Sequence, residues 1–392
     1  MLGLCRITNF HRVTSICGSV YYAAPVQLAY SRINNANIQK SSLTTYTPSS
    51  RRQNYGHGSY KTMVLSMLFG SGMCVYLHKD KQFIRCHHKN SECANSSKWD
   101  GMTIKLYQYQ TCPFCTKTRC FLLAHGIPFE NIEVHPIFKK EMKFSKYKKV
   151  PLVTVEKNGE VLELRDSSLI ISILSSYIIN EGMNITELLK RYPTTTVVGE
   201  DGKSKQETLN KHWLISDEAD LATVENDARK EEAEWRFWAD DYLVHLISPN
   251  VYRTYREAYQ AFDYHVKQGR FNGTWEGVVA KYLGSIAMWG IAKRLKTKYE
   301  HLLKYKLDEN VRLDLYKACN KWTEAIGKGR TFMGGSKPNL ADVSVFGVLS
   351  VMENLDSFHD VLTHTNIKKW YYKTKQAIED HGGQTLNLRT TT

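Results

Sequence analysis

Cys112-Pro113-Phe114-Cys115 falls at the junction between an alternating strand and a helical run, and no other feature constrains the fold as much. Before it, Thr103 to Tyr109 alternates β-branched and aromatic residues and reads as a strand. After it, TKTRCFLLAHG reads as a helix closed by Gly126. A second strand is read over Phe129 to Pro136, then a short basic helix over Phe138 to Tyr147. VPLVTVEKNGEVLEL follows as two strands joined at Asn158-Gly159, a strong short hairpin signal. Asp166-Ser167-Ser168 then caps a helix running to Ile179.

The order βαβαββα, with C-x-x-C at the first strand-to-helix turn, resembles the thioredoxin arrangement, here over residues 102–182. The helix amides and macrodipole at that turn favour a thiolate, so Cys112 is expected to be the low-pKa nucleophile. Cys115, one turn deeper, fits a resolving or supporting thiol. Nine cysteines at irregular spacing make no secreted disulfide framework and point to a reducing compartment. In such a fold the strand-entry Pro151 is expected in the cis form opposite the C-x-x-C, with the Val150 backbone free to pair with a bound peptide or thiol. Asp166 and Ser167 form a corner suited to the γ-glutamyl end of glutathione; helix capping alone would also account for them.

The chain carries a formal net charge of +14, which would suggest nucleic acid were it evenly spread. It is not. Residues 1–79 contain no acid and eight basic residues, while residues 80–392 hold 45 basic against 39 acidic residues, an ordinary surface. The lysines at 139, 140, 143, 146, 148 and 149 lack the interleaved aromatics of a nucleic-acid platform, so no nucleic-acid partner is expected. The acid-free leader, 1–60, matches the composition of a mitochondrial transit peptide. Within 61–79, the uncharged run 63–77 spans roughly 23 Å as a helix and reads as a single-pass anchor flanked by lysines that snorkel. A connector, 80–101, contains Cys86, His87, His88 and Cys93, but their spacing lacks a second ligand pair and no metal is assigned.

After a polar linker, 183–207, residues 208–385 have helical period. Helices are read at Glu231 to Ile247, Tyr255 to Gln268, Trp275 to Tyr299, Asn310 to Gly327 and from the capping box at Asn339 and Asp342. The stripe of Trp235 and Trp238 reads as core. His245 and Ser248 could face the thiols, and Arg294 and Lys298 could neutralise a carboxylate.

An α/β thioredoxin-like unit followed by an all-α unit resembles the glutathione transferase architecture. YQYQTCPFC, FSKYKKVPLV, LRDSSLIISIL, WADDYLVHLISPNVYRT and FMGGSKPNLADVSVFGVL, in that order, resemble the membrane-associated prostaglandin E synthase type 2 family from about Met102 to Trp370. The resemblance implies a thiol-dependent isomerase acting on a small lipid, prostaglandin H endoperoxide. It implies Cys112 as catalytic thiol with Tyr109 and Cys115 beside it, and Val150, Pro151, Asp166 and Ser167 holding glutathione or another thiol. Phe114, His245, Ser248, Arg294 and Lys298 are weaker candidates. Haem is implied by resemblance alone, since no haem motif is visible. A Golgi or mitochondrial membrane location follows, with release to the cytosol after N-terminal processing; a homodimer is left open. Two other functions compete: a glutaredoxin-like thiol–disulfide oxidoreductase, and a non-catalytic glutathione- or haem-binding module on a membrane anchor.

Overall fold

Met102–Gln108 (β2) turns Ile104 and Leu106 inward, is buried on both faces from Leu106 to Gln108, and lies at the middle of a five-stranded sheet. A computed structural model describes residues 83–84, 96–135, 138–180, 182–198, 204–216, 227–268, 273–303, 308 and 310–383. The leader, the apolar run 63–77 and the Cys86–Cys93 group lie outside them. Among the described residues, no helix is long and apolar enough to cross a membrane.

Strand β2 pairs parallel with Phe129–Glu133 (β3) and antiparallel with Leu152–Lys157 (β4). Phe83–Ile84 (β1) adds outside β3, and Glu160–Arg165 (β5) outside β4, giving the order β1-β3-β2-β4-β5. The β4–β5 turn is Asn158-Gly159, with φ of 53° and 83°, the double left-handed geometry that this dipeptide favours. The crossover that a parallel pair requires is supplied by Pro113–Ala124 (α1), whose Phe121, Leu122 and Ala124 are wholly buried. Ser167–Ile179 (α2) follows β5. The thioredoxin-like reading is therefore borne out.

Two local expectations are not. The basic stretch over Phe138 to Tyr147 forms only one tight turn, Lys140–Met142, because Met142 is its one fully buried apolar side chain while Phe138 and Phe144 are exposed. A helix there would have no apolar stripe to bury. The linker over 183–207 holds a capped helix, Ile185–Lys190 (α3), and a hairpin of Thr194–Val198 (β6) and Ser204–Thr208 (β7). Asn184 and Glu187 close a reciprocal capping box that the polar composition concealed.

From Asp227 onward the described residues are mainly helical. Asp227–Trp238 (α4) widens into a π turn, Ala239–Leu243, and continues as Val244–Val251 (α5). Tyr255–Gln268 (α6) follows. Trp275–Val279 (α7) passes through a second π turn into Ser285–Leu303 (α8). Val311–Ile326 (α9), Leu340–Leu349 (α10), Asp356–His364 (α11) and Lys368–Glu379 (α12) complete it. Trp235 and Trp238 pack on the buried Trp322 of α9, with Trp235 edge-on to it at 5.2 Å, so the tryptophan stripe is core. Asn339 and Asp342 form the expected capping box, and Asp342 also accepts from Trp370 Nε1 at 2.8 Å.

Helix α10 reaches the C-x-x-C helix directly. A Cβ on Gly347 would lie 2.5 Å from Lys117 Cα, so only glycine permits this approach of α10 to α1. The contact sets the thiol helix between the sheet and the helical half of the molecule.

Candidate active site

Cys112 is the last extended residue before α1, with φ −89° and ψ 122°, and its carbonyl already accepts from Thr116 N at 2.9 Å. Pro113 occupies the first helical position, where no amide is needed. The sulfur is held below the ordinary cysteine value first by the Cys115 thiol, which donates to it. The amides of Cys115 and Phe114 and the Arg119 charge assist, all acting against burial. Cys115 moves the other way: burial, and then the neighbouring Cys112 sulfur, keep its proton on well above the ordinary value. Both are free thiols, Cys112 4% exposed and Cys115 fully enclosed. The pair is thus asymmetric, one sulfur a nucleophile and the other a donor.

Tyr109 closes the turn. Its carbonyl accepts from Cys112 N at 3.1 Å, and its amide donates to Cys115 Sγ at 3.5 Å. Its phenol oxygen is buried without a hydrogen-bond partner among the described residues, and burial, with both thiols beside it, raises its pKa. A proton stays on that oxygen at neutral pH.

A cleft of about 340 Å³ opens beside this turn, lined by Phe114, Tyr147, Val150, Pro151, Asp166, Ser167, Lys211 and Asp240. Five of these are sequence-expected positions, brought together from α1, the entry to β4 and the start of α2. The Val150-Pro151 bond is cis. Asp166 has φ 68°, a conformation that costs a non-glycine residue of order 1–3 kcal/mol. Its side chain explains the position: Oδ1 accepts from the Ser168 and Leu169 amides at 2.9 and 3.4 Å, and Oδ2 accepts from Lys211 Nζ at 3.0 Å. Burial opposes its ionisation, but Lys211 leads the charges that hold its carboxyl below the ordinary range.

The sequence reading missed what lies behind the cleft. Lys117, fully buried on α1, donates to Asp240 and, at 2.8 Å, to Ser168 Oγ. Ser168 Oγ donates to the other oxygen of Asp240, and His212 Nε2 reaches that oxygen at 2.9 Å. A carboxylate only accepts, so Nε2 carries the proton of His212. Burial would raise Asp240, yet Lys117 and His212 together hold it well below the ordinary carboxyl range. Arg236, also fully buried, donates to Ser172 Oγ at 2.7 Å, Ser168 O at 3.2 Å and His212 O at 2.7 Å. Asp240 stands in the π turn, a distortion that recurs at functional sites.

Other candidates are not brought here. His245 and Ser248 do not line the cleft: α5 is buried on every side, and both are packed into the core beyond the π turn. Arg294 is exposed on α8, which accounts for a surface cation, and the side chain of Lys298 lies outside the described residues.

The family model for glutaredoxin matches residues 104–161, the stretch from β2 through the turn of the β4–β5 hairpin. The chain is 47% identical over 325 residues to the zebrafish (Danio rerio) protein named prostaglandin E synthase 2, covering 82% of this chain and 83% of that one. The mouse (Mus musculus) protein of the same name is 45% identical over 308 residues, 78% and 77% of the two chains. This chain belongs to the prostaglandin E synthase 2 family. The family resemblance read from the sequence is thereby borne out. Among solved structures, a glutathione S-transferase from Pseudomonas fluorescens aligns over 69% of this chain and 93% of its own, at 14% identity and a TM-score of 0.37. The Cys112 turn and half of the cleft residues of this prostaglandin E synthase 2 family member, Phe114, Tyr147, Val150 and Pro151, fall within the glutaredoxin match; Asp166, Ser167, Lys211 and Asp240 lie beyond it.

Proposed function

We propose that this chain, as a prostaglandin E synthase, isomerises prostaglandin H endoperoxide to prostaglandin E through the Cys112 thiolate. The observation that carries the reading is the asymmetry of the two thiols. The Cys112 thiolate attacks the C9 oxygen, forming an S–O bond as the O–O bond breaks, and the C11 alkoxide takes a proton from Tyr109 or water. Removal of the C9 proton forms the ketone, breaks the S–O bond and returns the thiolate, so no net oxidation occurs. Cys115 must stay a thiol throughout, and its raised pKa favours that. Its attack on the S–O intermediate would give a Cys112–Cys115 disulfide and the reduced diol instead.

Glutathione suits the cleft by charge and shape. The Val150 backbone would pair with its peptide, Asp166 would face its amine, and Lys211 with the α2 amides would face its carboxylate. Haem does not fit: the cleft is about 340 Å³ and none of its lining residues is a histidine, methionine or cysteine. No step is assigned to it. Attachment to a Golgi or mitochondrial membrane through 63–77 is the companion proposal; the chain released by alkaline carbonate from membranes of expressing cells would count against it.

The second reading is glutaredoxin-like disulfide exchange, favoured by the contact between the two sulfurs. Incubating the full chain with the endoperoxide, with and without glutathione, separates the two. Ketone formation well above the buffer rate supports the isomerase, while a ketone rate equal to buffer alongside brisk reduction of a glutathione mixed disulfide supports exchange.

A further inference from the structure

Thr116, Arg119, Cys120 and Leu123 follow Cys112 at helical spacing down one face of α1, and this face lines a second cavity of about 920 Å³. Its far wall carries apolar side chains, Phe346 and Val351 from α10 and the turn after it and Ile378 from α12, with Ser350, Glu353, Lys375 and Glu379 beside them. Arg119 is half-buried, and among the described residues its hydrogen bonds run to neutral oxygens: Gln108 Oε1 at 2.5 Å, Gln110 Oε1 at 3.1 Å and Thr116 Oγ1 at 3.4 Å. The other cation lining the cavity, Lys375, is neutralised by Glu353 at 2.5 Å, while Glu379 is exposed at the end of α12. A half-buried guanidinium with no carboxylate partner among the described residues, in a cavity that also exposes apolar side chains, matches an amphiphilic anion.

We propose that this cavity binds a carboxylate on a hydrocarbon chain, with Arg119 holding the carboxylate. Cys112 and Arg119 are seven residues apart, about 10 Å of helical rise, and Arg119 leans back toward the helix start through its bond to Thr116, whose Oγ1 reaches Cys112 O at 3.1 Å. One occupant is therefore the acid arm of the endoperoxide substrate, an assignment that rests on the isomerase reading above; the other is a free fatty acid. Both present the same chemistry.

Titrating the full chain with dodecanoate and with dodecanol tests the site. Dodecanoate should bind, dodecanol about tenfold or more weaker, and Arg119→Gln should weaken dodecanoate by about tenfold to a hundredfold while Arg119→Lys recovers most of it. Val351→Trp, which fills the apolar end without touching the charge, should weaken dodecanoate too. Equal binding of acid and alcohol, or dodecanoate binding indifferent to both Arg119→Gln and Val351→Trp, overturns the proposal. If dodecanoate competes with the endoperoxide, and Val351→Trp weakens both, the occupant is the substrate arm. Binding without competition identifies a separate fatty-acid ligand. A chain that forms no ketone yet binds dodecanoate through Arg119 would sink the isomerase reading and leave this site standing.

Discussion

Two cations two residues apart on α1 divide the molecule into unlike regions. Lys117 points into the interior behind the cleft, fully buried and matched to the Asp240 carboxylate; Arg119 faces the second cavity, half-buried, with neutral hydrogen-bond partners among the described residues. A buried charge with its counterion is committed: removing either partner strands the other, so such a pair fixes geometry rather than binding anything. A guanidinium hydrogen-bonded to neutral oxygens keeps its charge for an anion, and Arg119 already lends part of it to the Cys112 thiolate. The cleft side of the helix is therefore built to hold Cys112 still, and the other side to receive a ligand.

The largest effect should come from the sulfur itself. Cys112→Ser should lower ketone formation by about a thousandfold or more, whereas Cys115→Ser should keep the ketone and diminish any diol, as read by product chromatography. A Cys112→Ser variant with normal turnover would remove the thiolate from the account. Next comes the committed side of the helix. Asp240→Ala leaves Lys117 buried without a counterion and should cost about 3–5 kcal/mol, seen in denaturant unfolding, while Arg119→Gln should cost about 1 kcal/mol or less. Equal losses would erase the contrast between the two cations. Because the folded-state carboxyl of Asp240 lies below its unfolded value, its contribution is present above the ordinary aspartate range and lost as the pH falls through that lowered value. Acid should therefore narrow the gap between wild type and Asp240→Ala.

Much of the site was legible because its residues flank local signals. The C-x-x-C turn, the strand-entry proline and the capped start of α2 each announce themselves within a few residues, and Phe114, Val150, Pro151, Asp166 and Ser167 converge once the sheet forms. Lys117 and Asp240 stand 123 positions apart and each looks like a surface charge; only the approach of α10 at Gly347 and the π turn of α4 bury them together. Lys211 was concealed in the same way, in a loop after a hairpin that read as linker. His245 and Ser248 were singled out for helical spacing, which cannot reveal that α5 is buried all round.

A smaller effect separates binding from scaffold on the cleft side. Lys211→Met should weaken glutathione by about tenfold in a competition assay and leave folding nearly unchanged, since Asp166 keeps its two amide donors. The smallest is a pH effect at the start of α10. Glu232, buried beneath the start of α10, accepts from Leu340 N at 3.0 Å, and burial raises its pKa to about 7. A raised carboxyl favours folding below its unfolded value and loses that contribution as the pH rises through about 7, so Glu232→Gln should flatten the fall in unfolding midpoint between mildly acidic and mildly alkaline buffer.

The most direct test follows Cys112 and the reaction together. Isomerisation kcat/KM for the full chain should rise with pH along the same curve as alkylation of Cys112 by iodoacetamide, followed by mass spectrometry. The shared midpoint should lie below the ordinary cysteine value, with Cys115 unlabelled throughout. Turnover that ignores the Cys112 ionisation curve, or Cys115 labelled ahead of Cys112, would contradict the account.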